Sequence, residues 1–177
     1  MLRDLIVGPH QISFDITNKC NLRCLHCYNS SGENLASQNE LTDQEVLDFI
    51  DEFKSIKLLN FCFCGGEPLL RKELIVEAAK RLRTYGCENV AMVSNGILMT
   101  DEVIEELINA GVTRIQISLD GIKAESHDRI RNKKGVYEKA TRAIEALVKH
   151  GVDTAVAFTP TSFNISELRA VRDYLHT

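Results

Sequence analysis

The sequence lacks the features that would direct it to a membrane, to export or to nucleic acid. No apolar run reaches the roughly 18 residues that are needed to cross a bilayer. The first ten residues lack the long apolar segment and the cleavage site of a signal peptide. The net charge of -4 provides no basic surface for nucleic acid or anionic lipid. We therefore expect a cytoplasmic protein with neither a membrane nor a nucleic acid as its partner.

What the sequence does contain is the composition of one globular domain. Of its 177 residues, 44% are hydrophobic and 26% are charged, which is typical of a chain that buries a core. We find no low-complexity segment and no linker. There are six cysteines, three of them close together. In a reducing compartment, clustered cysteines more often bind metal or carry out redox chemistry than form disulfides.

Short β-type runs alternate with longer helical patterns along the chain. The expected strands are Gln11–Thr17, Leu58–Phe63, Asn89–Val93, Val112–Leu119 and Val152–Phe158. The expected helix starts are Thr42 with Glu45, Thr100, and Asn164 with Glu167, and the expected helix stops are Gly86, Gly111 and Gly151. Five consecutive βα units predict a parallel sheet with right-handed crossovers.

Polar and apolar residues alternate in several of these strands. In the first strand Ser13 and Asp15 oppose Ile12 and Phe14, and the second and fourth strands alternate similarly. A parallel sheet that is buried on both faces usually has near-continuous apolar strands instead. If helices cover the apolar face, the polar face lines the lumen of a barrel that holds a polar ligand. We therefore predict an α/β fold, a partial (β/α)6-type TIM-like barrel with five readable βα units; a doubly wound sheet is the alternative.

A group of cysteines directly follows the first strand. Cys20, Cys24 and Cys27 are spaced C-x3-C-x2-C, which lets three thiolates converge on one small inorganic body. Structural zinc takes four protein ligands, and His26 is an available fourth. A four-iron cluster usually takes four cysteines, so three would leave one iron open to a substrate. From the residues alone, a cluster, a zinc ion and unrelated buried thiols all stay open.

The segment Asp15–Tyr28 resembles the cluster motif of the radical S-adenosylmethionine (SAM) superfamily, especially members with a C-terminal SPASM or twitch extension. The resemblance implies a [4Fe-4S] cluster on Cys20, Cys24 and Cys27, with SAM on the open iron. It implies reductive cleavage of SAM to a 5'-deoxyadenosyl radical that abstracts hydrogen from a substrate. It further implies an electron donor such as flavodoxin or ferredoxin. His26 stands where the family usually has an aromatic residue near the adenine.

Loops after the later strands are similar to the same family. Gly65-Gly66-Glu67 matches the motif that binds the SAM amino group, and the final arginine of His127–Arg131 matches one that meets the SAM carboxylate. Without the resemblance, these stretches are ordinary turns and a charged helix end. The cofactor contacts that the resemblance implies are His26, Gly65, Gly66, Glu67, Ser94, Asn95, Ser118, Asp120 and Arg131. Sites of this kind are built at the carboxyl ends of barrel strands, and no general acid or base is assigned.

The chain also departs from the family, whose core usually has six βα units. We expect residues 1–177 to be a radical SAM core domain that is truncated, without the sixth unit and the C-terminal extension. The expected substrate is a peptide or protein, with tetrapyrrole chemistry of heme biosynthesis as the alternative. Other classes of function are a non-catalytic iron–sulfur or zinc protein and a catalytically inactive binding module. Cys62 and Cys64 stay unassigned, and Cys87 is expected to be structural.

Overall fold

The five predicted strands form one parallel sheet. The computed structural model describes residues 8–32, 39–56 and 58–176, so the ends of the predicted domain, residues 1–7 and 177, lie outside the described residues. The strands are β1 (Gln11–Asp15), β2 (Asn60–Cys64), β3 (Asn89–Ser94), β4 (Arg114–Ser118) and β5 (Asp153–Ala157). They are neighbours in the same order as in the chain, and all four pairings are parallel.

The described part of the chain contains six α-helices. They are α1 (Asp43–Asp51), α2 (Lys72–Thr84), α3 (Asp101–Ala110), α4 (Ala124–Arg131), α5 (Val136–Lys149) and α6 (Leu168–Tyr174). Two predicted starts are confirmed, because Thr42 caps α1 in a capping box with Glu45 and Thr100 caps α3. Positive φ angles just beyond α2, α3 and α5 confirm the predicted stops, Gly86, Gly111 and Gly151. None of these described helices is long and apolar enough to cross a membrane.

Asn164 stands where the last helical segment starts, as predicted, but its side chain does not cap that segment. Helix α6 begins at Leu168, after a 3-10 turn over Ile165–Glu167, and the Asn164 side chain caps neither. That side chain instead donates to the carbonyl oxygens of Asp120 and Thr159 at 2.9 and 3.0 Å. Asn164 is fully buried, so its amide needs partners there, and these bonds hold it against the end of the sheet.

Helices cover one face of the sheet, as a barrel wall requires. Alternate residues of the central strands, such as Phe61, Phe63 and Ile115, are buried in one core with residues of the helices. The intervening residues, such as Cys62 and Gln116, are partly exposed on the opposite face. A doubly wound sheet would instead reverse its strand order and carry helices on both faces. The prediction of a partial barrel with parallel strands is confirmed.

Candidate cofactor site

A cavity of about 450 Å³ opens where the strands end, on the face that the helices leave uncovered. The predicted site residues that line it are Cys20, Cys24, His26, Cys27, Gly65, Gly66, Ser94, Asn95, Ser118 and Arg131. Other lining residues, which the site prediction omits, include Asn29, Ser31, Cys64, Gln116 and Thr159. Glu67 and Asp120 are fully buried and are not among the described lining residues. The structure therefore gathers ten of the twelve predicted residues around one space and places two carboxylates behind its wall.

Each sulfur of the three clustered cysteines accepts a hydrogen bond from a nitrogen. The donors are the Leu22 amide to Cys20 (3.4 Å), the Ser31 amide to Cys27 (3.4 Å) and Arg131 Nη1 to Cys24 (3.7 Å). Hydrogen bonds to ligand sulfurs are part of how proteins orient a metal centre and set the potential of an iron–sulfur cluster. The sequence analysis missed the two backbone donors, because any residue type can supply an amide.

Burial raises the pKa of the Cys20 thiol and of the Cys24 thiol. At Cys24 the Arg131 guanidinium opposes this rise through its charge and its hydrogen bond. A thiol with a raised pKa keeps its proton at neutral pH unless a cation takes the charge, and metal coordination removes that proton outright. These two cysteines are therefore suited to hold a positively charged inorganic group rather than to act as free nucleophiles.

The three clustered cysteines fit an iron–sulfur cluster. His26, the candidate fourth zinc ligand, is bonded through Nε2 to Asp120 Oδ2 at 2.9 Å, and its buried Nδ1 has no hydrogen-bond partner among the described residues. A four-iron cluster is larger than an ion, and its thiolates stand around a wider space. Three thiols around one cavity, each with a donor to its sulfur, match that requirement.

Two glycines bring the loop after β2 against the loop after β1. The Gly66 amide donates to the Thr17 carbonyl at 2.8 Å, and the Glu67 amide donates to the Lys19 carbonyl at 2.9 Å. A Cβ on Gly65 would lie 2.3 Å from the Thr17 oxygen, and a Cβ on Gly66 would lie 2.3 Å from the Lys19 oxygen. Gly65 also has a φ of +126°, which L-residues rarely adopt. Only glycines therefore allow these two backbones to meet beside the cysteines.

Glu67 joins this loop to the loop after β3. Its Oε1 accepts from Ser94 Oγ at 2.9 Å and from the Leu69 amide at 3.2 Å, and its Oε2 accepts from the Asn95 amide at 2.9 Å. Burial raises the pKa of the Glu67 carboxyl, and these donors offset part of the rise. The carboxylate thereby holds Ser94 and Asn95 in place, and both of them line the cavity.

Asp120, just beyond β4, joins three parts of the site. Its Oδ2 accepts from His26 Nε2 at 2.9 Å and from Arg131 Nη2 at 2.6 Å, and its Oδ1 accepts from the Thr159 amide at 2.9 Å. Burial alone would raise the pKa of Asp120, but His26, Arg131 and Thr159 together hold that pKa below its ordinary value. One ionised carboxylate therefore fixes the cysteine loop, the end of α4 and the segment after β5.

His127 lies beneath this carboxylate and is kept neutral. Its Nδ1 accepts from the Asp120 amide at 3.0 Å, and the residue is 1% exposed. Burial, with the nearby charge of Arg131, lowers the pKa of His127 to about 4 from an ordinary value of 6.5. An imidazole that accepts through one nitrogen cannot be doubly protonated without losing that bond. His127 is therefore a structural support for Asp120.

This lowered pKa predicts a loss of stability in acid. In the unfolded chain His127 binds a proton below pH 6.5, whereas in the folded chain it does so only near pH 4. The stability of the fold is therefore greatest above pH 6.5 and decreases as the pH falls toward 4. We expect the free energy of unfolding to fall over that range by roughly 3 kcal/mol more in the wild type than in His127→Gln. Urea unfolding at several pH values measures the difference. His10→Gln, at an exposed histidine, is the matched control, and parallel curves for wild type and His127→Gln would contradict the prediction.

The sequence of the chain is similar to that of a known protein family. Residues 14–175, most of the chain, match the sequence profile described as the Radical SAM superfamily. The chain belongs to the radical SAM superfamily. Members of this superfamily are enzymes that use a [4Fe-4S] cluster and SAM and that need a reductant, so the predicted family and cofactors are confirmed.

Two relatives illustrate the match. The chain is 36% identical over 164 residues to an AdoMet-dependent heme synthase of Methanosarcina barkeri. The aligned region covers 91% of this chain and 45% of that synthase. It is also 34% identical over 164 residues to the mycofactocin maturase MftC of Mycolicibacterium smegmatis. The aligned region covers 91% of this chain and 40% of that maturase. The chain thus spans less than half the length of either radical SAM protein.

Solved structures show the same fold. A structure described as native anSMEcpe with bound AdoMet and Cp18Cys peptide superposes with a TM-score of 0.77 at 20% identity, over 94% of this chain and 47% of that one. Methylornithine synthase (PylB) superposes with a TM-score of 0.70 at 14% identity, over 92% of this chain and 50% of that one. At such identities the likeness concerns the fold, which is that of the radical SAM barrel.

Proposed function

We propose that this chain, residues 1–177, is the core domain of a radical SAM enzyme. The observation that carries the proposal is the convergence on one cavity of three cysteine sulfurs, each with a hydrogen-bond donor, and the glycine loop that abuts them. Cys20, Cys24 and Cys27 hold the cluster. When bound, the cluster and SAM supply the 5'-deoxyadenosyl radical that abstracts hydrogen from the substrate.

The remaining site residues divide into those that contact SAM and those that position the contacts. The proposed contacts are His26, Gly65, Gly66, Ser94, Asn95, Ser118 and Arg131, all of which line the cavity. The buried Nε of Arg131 has no hydrogen-bond partner among the described residues, which supports a role in binding an anionic group such as a carboxylate. Glu67 and Asp120 stay predicted cofactor residues, and their burial supports an action through Ser94, Asn95, His26 and Arg131.

The proposed substrate is a peptide or protein. The similarity of the cysteine motif to SPASM-type members supports this, as does the maturase among the relatives. The alternative is a tetrapyrrole, which the heme synthase and the Fe-coproporphyrin III synthase of Methanosarcina barkeri support by their names. Titration with iron coproporphyrin III, followed by its absorption, separates the two. We expect no saturable shift for a peptide enzyme, whereas a saturable shift would favour the tetrapyrrole alternative.

The proposed electron donor, cellular location and partners follow from the same chemistry. The cavity reaction needs one electron at a time, which a flavodoxin or ferredoxin supplies. All six cysteines are free thiols, which supports a reducing, cytoplasmic location. With a net charge of -4, neither nucleic acid nor an anionic membrane is a proposed partner.

The test is SAM cleavage without oxygen. Protein reconstituted with iron and sulfide receives SAM and dithionite, and 5'-deoxyadenosine is measured. We expect formation in the wild type and a fall to background in Cys24→Ala, because one cluster ligand and its Arg131 donor bond are lost. Cys87→Ala, at a buried cysteine outside the cavity lining described above, is the matched control and should retain activity. Binding of zinc in place of iron, or equal product from Cys24→Ala, would contradict the proposal.

A further inference from the structure

Three serine or threonine side chains are buried in the part of the chain that the structure describes, and only two of them have a hydrogen-bond partner there. The Thr17 hydroxyl donates to Glu40 Oε1 at 2.9 Å, and the Ser94 hydroxyl donates to Glu67 Oε1 at 2.9 Å. The third residue, Ser31, is 4% exposed, and its buried hydroxyl bonds to no described residue. Burying a hydroxyl without a bond costs free energy, so a partner outside the described residues is expected.

The other unpartnered polar atoms show where that partner belongs. Among the described residues, the buried side-chain nitrogen and oxygen atoms without a partner are Asn21 Nδ2, His26 Nδ1, Ser31 Oγ and Arg131 Nε. Three of these residues lie in the segment that contains the clustered cysteines, and Arg131 Nη1 donates to the sulfur of one of those cysteines. His26 and Arg131 are proposed SAM contacts, whereas the proposed function gives Ser31 no role.

A turn after Cys27 fixes the position of Ser31. Ser30 has a φ of +47°, and its amide donates to the Cys27 carbonyl oxygen at 3.4 Å. The Gly32 amide donates to the Asn18 carbonyl oxygen at 2.7 Å. Between these two bonds the chain turns back, and the Ser31 amide donates to the Cys27 sulfur at 3.4 Å. Only the Cα and Cβ atoms separate the Ser31 hydroxyl from that amide nitrogen, so the hydroxyl lies close to the same sulfur.

Ser31 also lines the cavity around which Cys20, Cys24 and Cys27 are arranged. Its O–H is therefore available to a group that these cysteines hold in the cavity. The sulfurs of an iron–sulfur cluster accept hydrogen bonds and donate none, so an O–H without another acceptor is a suitable partner for them. Hydrogen bonds to the sulfurs are among the features that set the reduction potential of such a cluster.

We propose that the Ser31 hydroxyl donates a hydrogen bond to a sulfur of the [4Fe-4S] cluster and thereby raises its reduction potential. The inference rests on the proposed function, because it requires a cluster on Cys20, Cys24 and Cys27. Reduction adds one negative charge to the cluster, and a hydrogen bond to a more negative acceptor is stronger. The hydroxyl therefore stabilises the reduced cluster more than the oxidised one, which favours the uptake of the electron that SAM cleavage requires.

Redox titration of Ser31→Ala tests the inference. Protein reconstituted with iron and sulfide is titrated without oxygen and without SAM, and the reduced cluster is followed by electron paramagnetic resonance. We expect a lower midpoint potential than in the wild type, so that the ratio of reduced to oxidised cluster at a fixed potential falls about tenfold, equivalent to about 59 mV for one electron. Ser30→Ala makes the same change at the neighbouring, exposed serine and should leave the potential unchanged.

Two further measurements separate the hydrogen bond from an effect on packing. Ser31→Thr keeps a hydroxyl and should restore most of the potential that Ser31→Ala loses. Electron–nuclear double resonance of the reduced cluster, compared in H2O and D2O, should show one coupled exchangeable proton fewer in Ser31→Ala than in the wild type. Iron per chain is measured for every variant, because poor packing would lower the iron content without changing the potential of the clusters that remain.

The outcomes distinguish this inference from the proposed function. Equal potentials for Ser31→Ala and the wild type overturn the inference, as does an unchanged number of exchangeable protons. A shift that arises only after SAM is added also overturns it, because the hydroxyl would then bond to SAM. A wild type that forms no four-iron cluster overturns the proposed function itself and this inference with it.

Discussion

Asp120→Ala is expected to lower the free energy of unfolding by about 3–5 kcal/mol, as removal of one partner of a buried ion pair does. The substitution leaves the Arg131 guanidinium, which is 10% exposed, without its carboxylate. It also removes the acceptor of the Thr159 amide and the partner of His26. Urea unfolding at neutral pH measures the change, read from the midpoint at an unchanged m-value.

The same variant tests whether Asp120 serves the site as well as the fold. Arg131 donates to Cys24 while Asp120 holds it, so we expect Asp120→Ala to bind less iron per chain after reconstitution. Asp153→Ala is the matched control, because its pair with Arg114 spans 3.6 Å and is more than half exposed. Such surface pairs contribute about 0–1 kcal/mol. If Asp120→Ala unfolds at the same urea concentration as this control, the role given to Asp120 is wrong.

Glu67→Ala is expected to cost about 4 kcal/mol, because it leaves three buried donors without their acceptor at about 1–3 kcal/mol each, less the cost of burying the carboxylate. The donors are Ser94 Oγ and the amides of Leu69 and Asn95. The loop after β3 then loses its link to the loop after β2. Urea unfolding measures the stability, and iron content after reconstitution measures the effect on the site.

Glu67→Gln tests the hydrogen bonds of Glu67 while leaving the volume of the side chain nearly unchanged. Glutamine has nearly the same shape, but its amide nitrogen must face a donor at one of the two oxygen positions, so we expect a loss of about 2 kcal/mol. Glu73→Ala, at an 85% exposed side chain on α2, should change stability by less than about 0.5 kcal/mol. Equal stability of Glu67→Gln and the wild type would contradict the predicted loss of about 2 kcal/mol.

The fold could be predicted largely from local patterns. The alternation of Phe61 and Phe63 with Cys62 and Cys64 reports directly on which residues face the helices, because the period of a strand is two. The cap at Thr42 and the stop at Gly111 depend on residues within one helical turn. The resemblance to a known family added the identity of the cofactors, which the cysteine spacing alone left open between iron and zinc.

What could not be predicted is the direction in which buried polar groups point. Glu67 and Asp120 look like ligand contacts in the sequence, yet both accept bonds from residues more than 20 positions away. The same holds for Asn164, whose spacing to Glu167 imitates a capping box while its side chain is taken by Asp120 and Thr159. Such choices depend on which donors the fold brings near, and a linear pattern does not contain that information.

The contact between the glycine loop and the cysteine loop has a thermodynamic consequence. The two loops are joined backbone to backbone, through the Gly66 amide on Thr17 and the Glu67 amide on Lys19, with no flexible side chain between them. Ordering one loop therefore orders the other. The chain loses the conformational entropy of both loops when it folds, before a ligand binds. A ligand that binds to one loop therefore does not have to order the other loop.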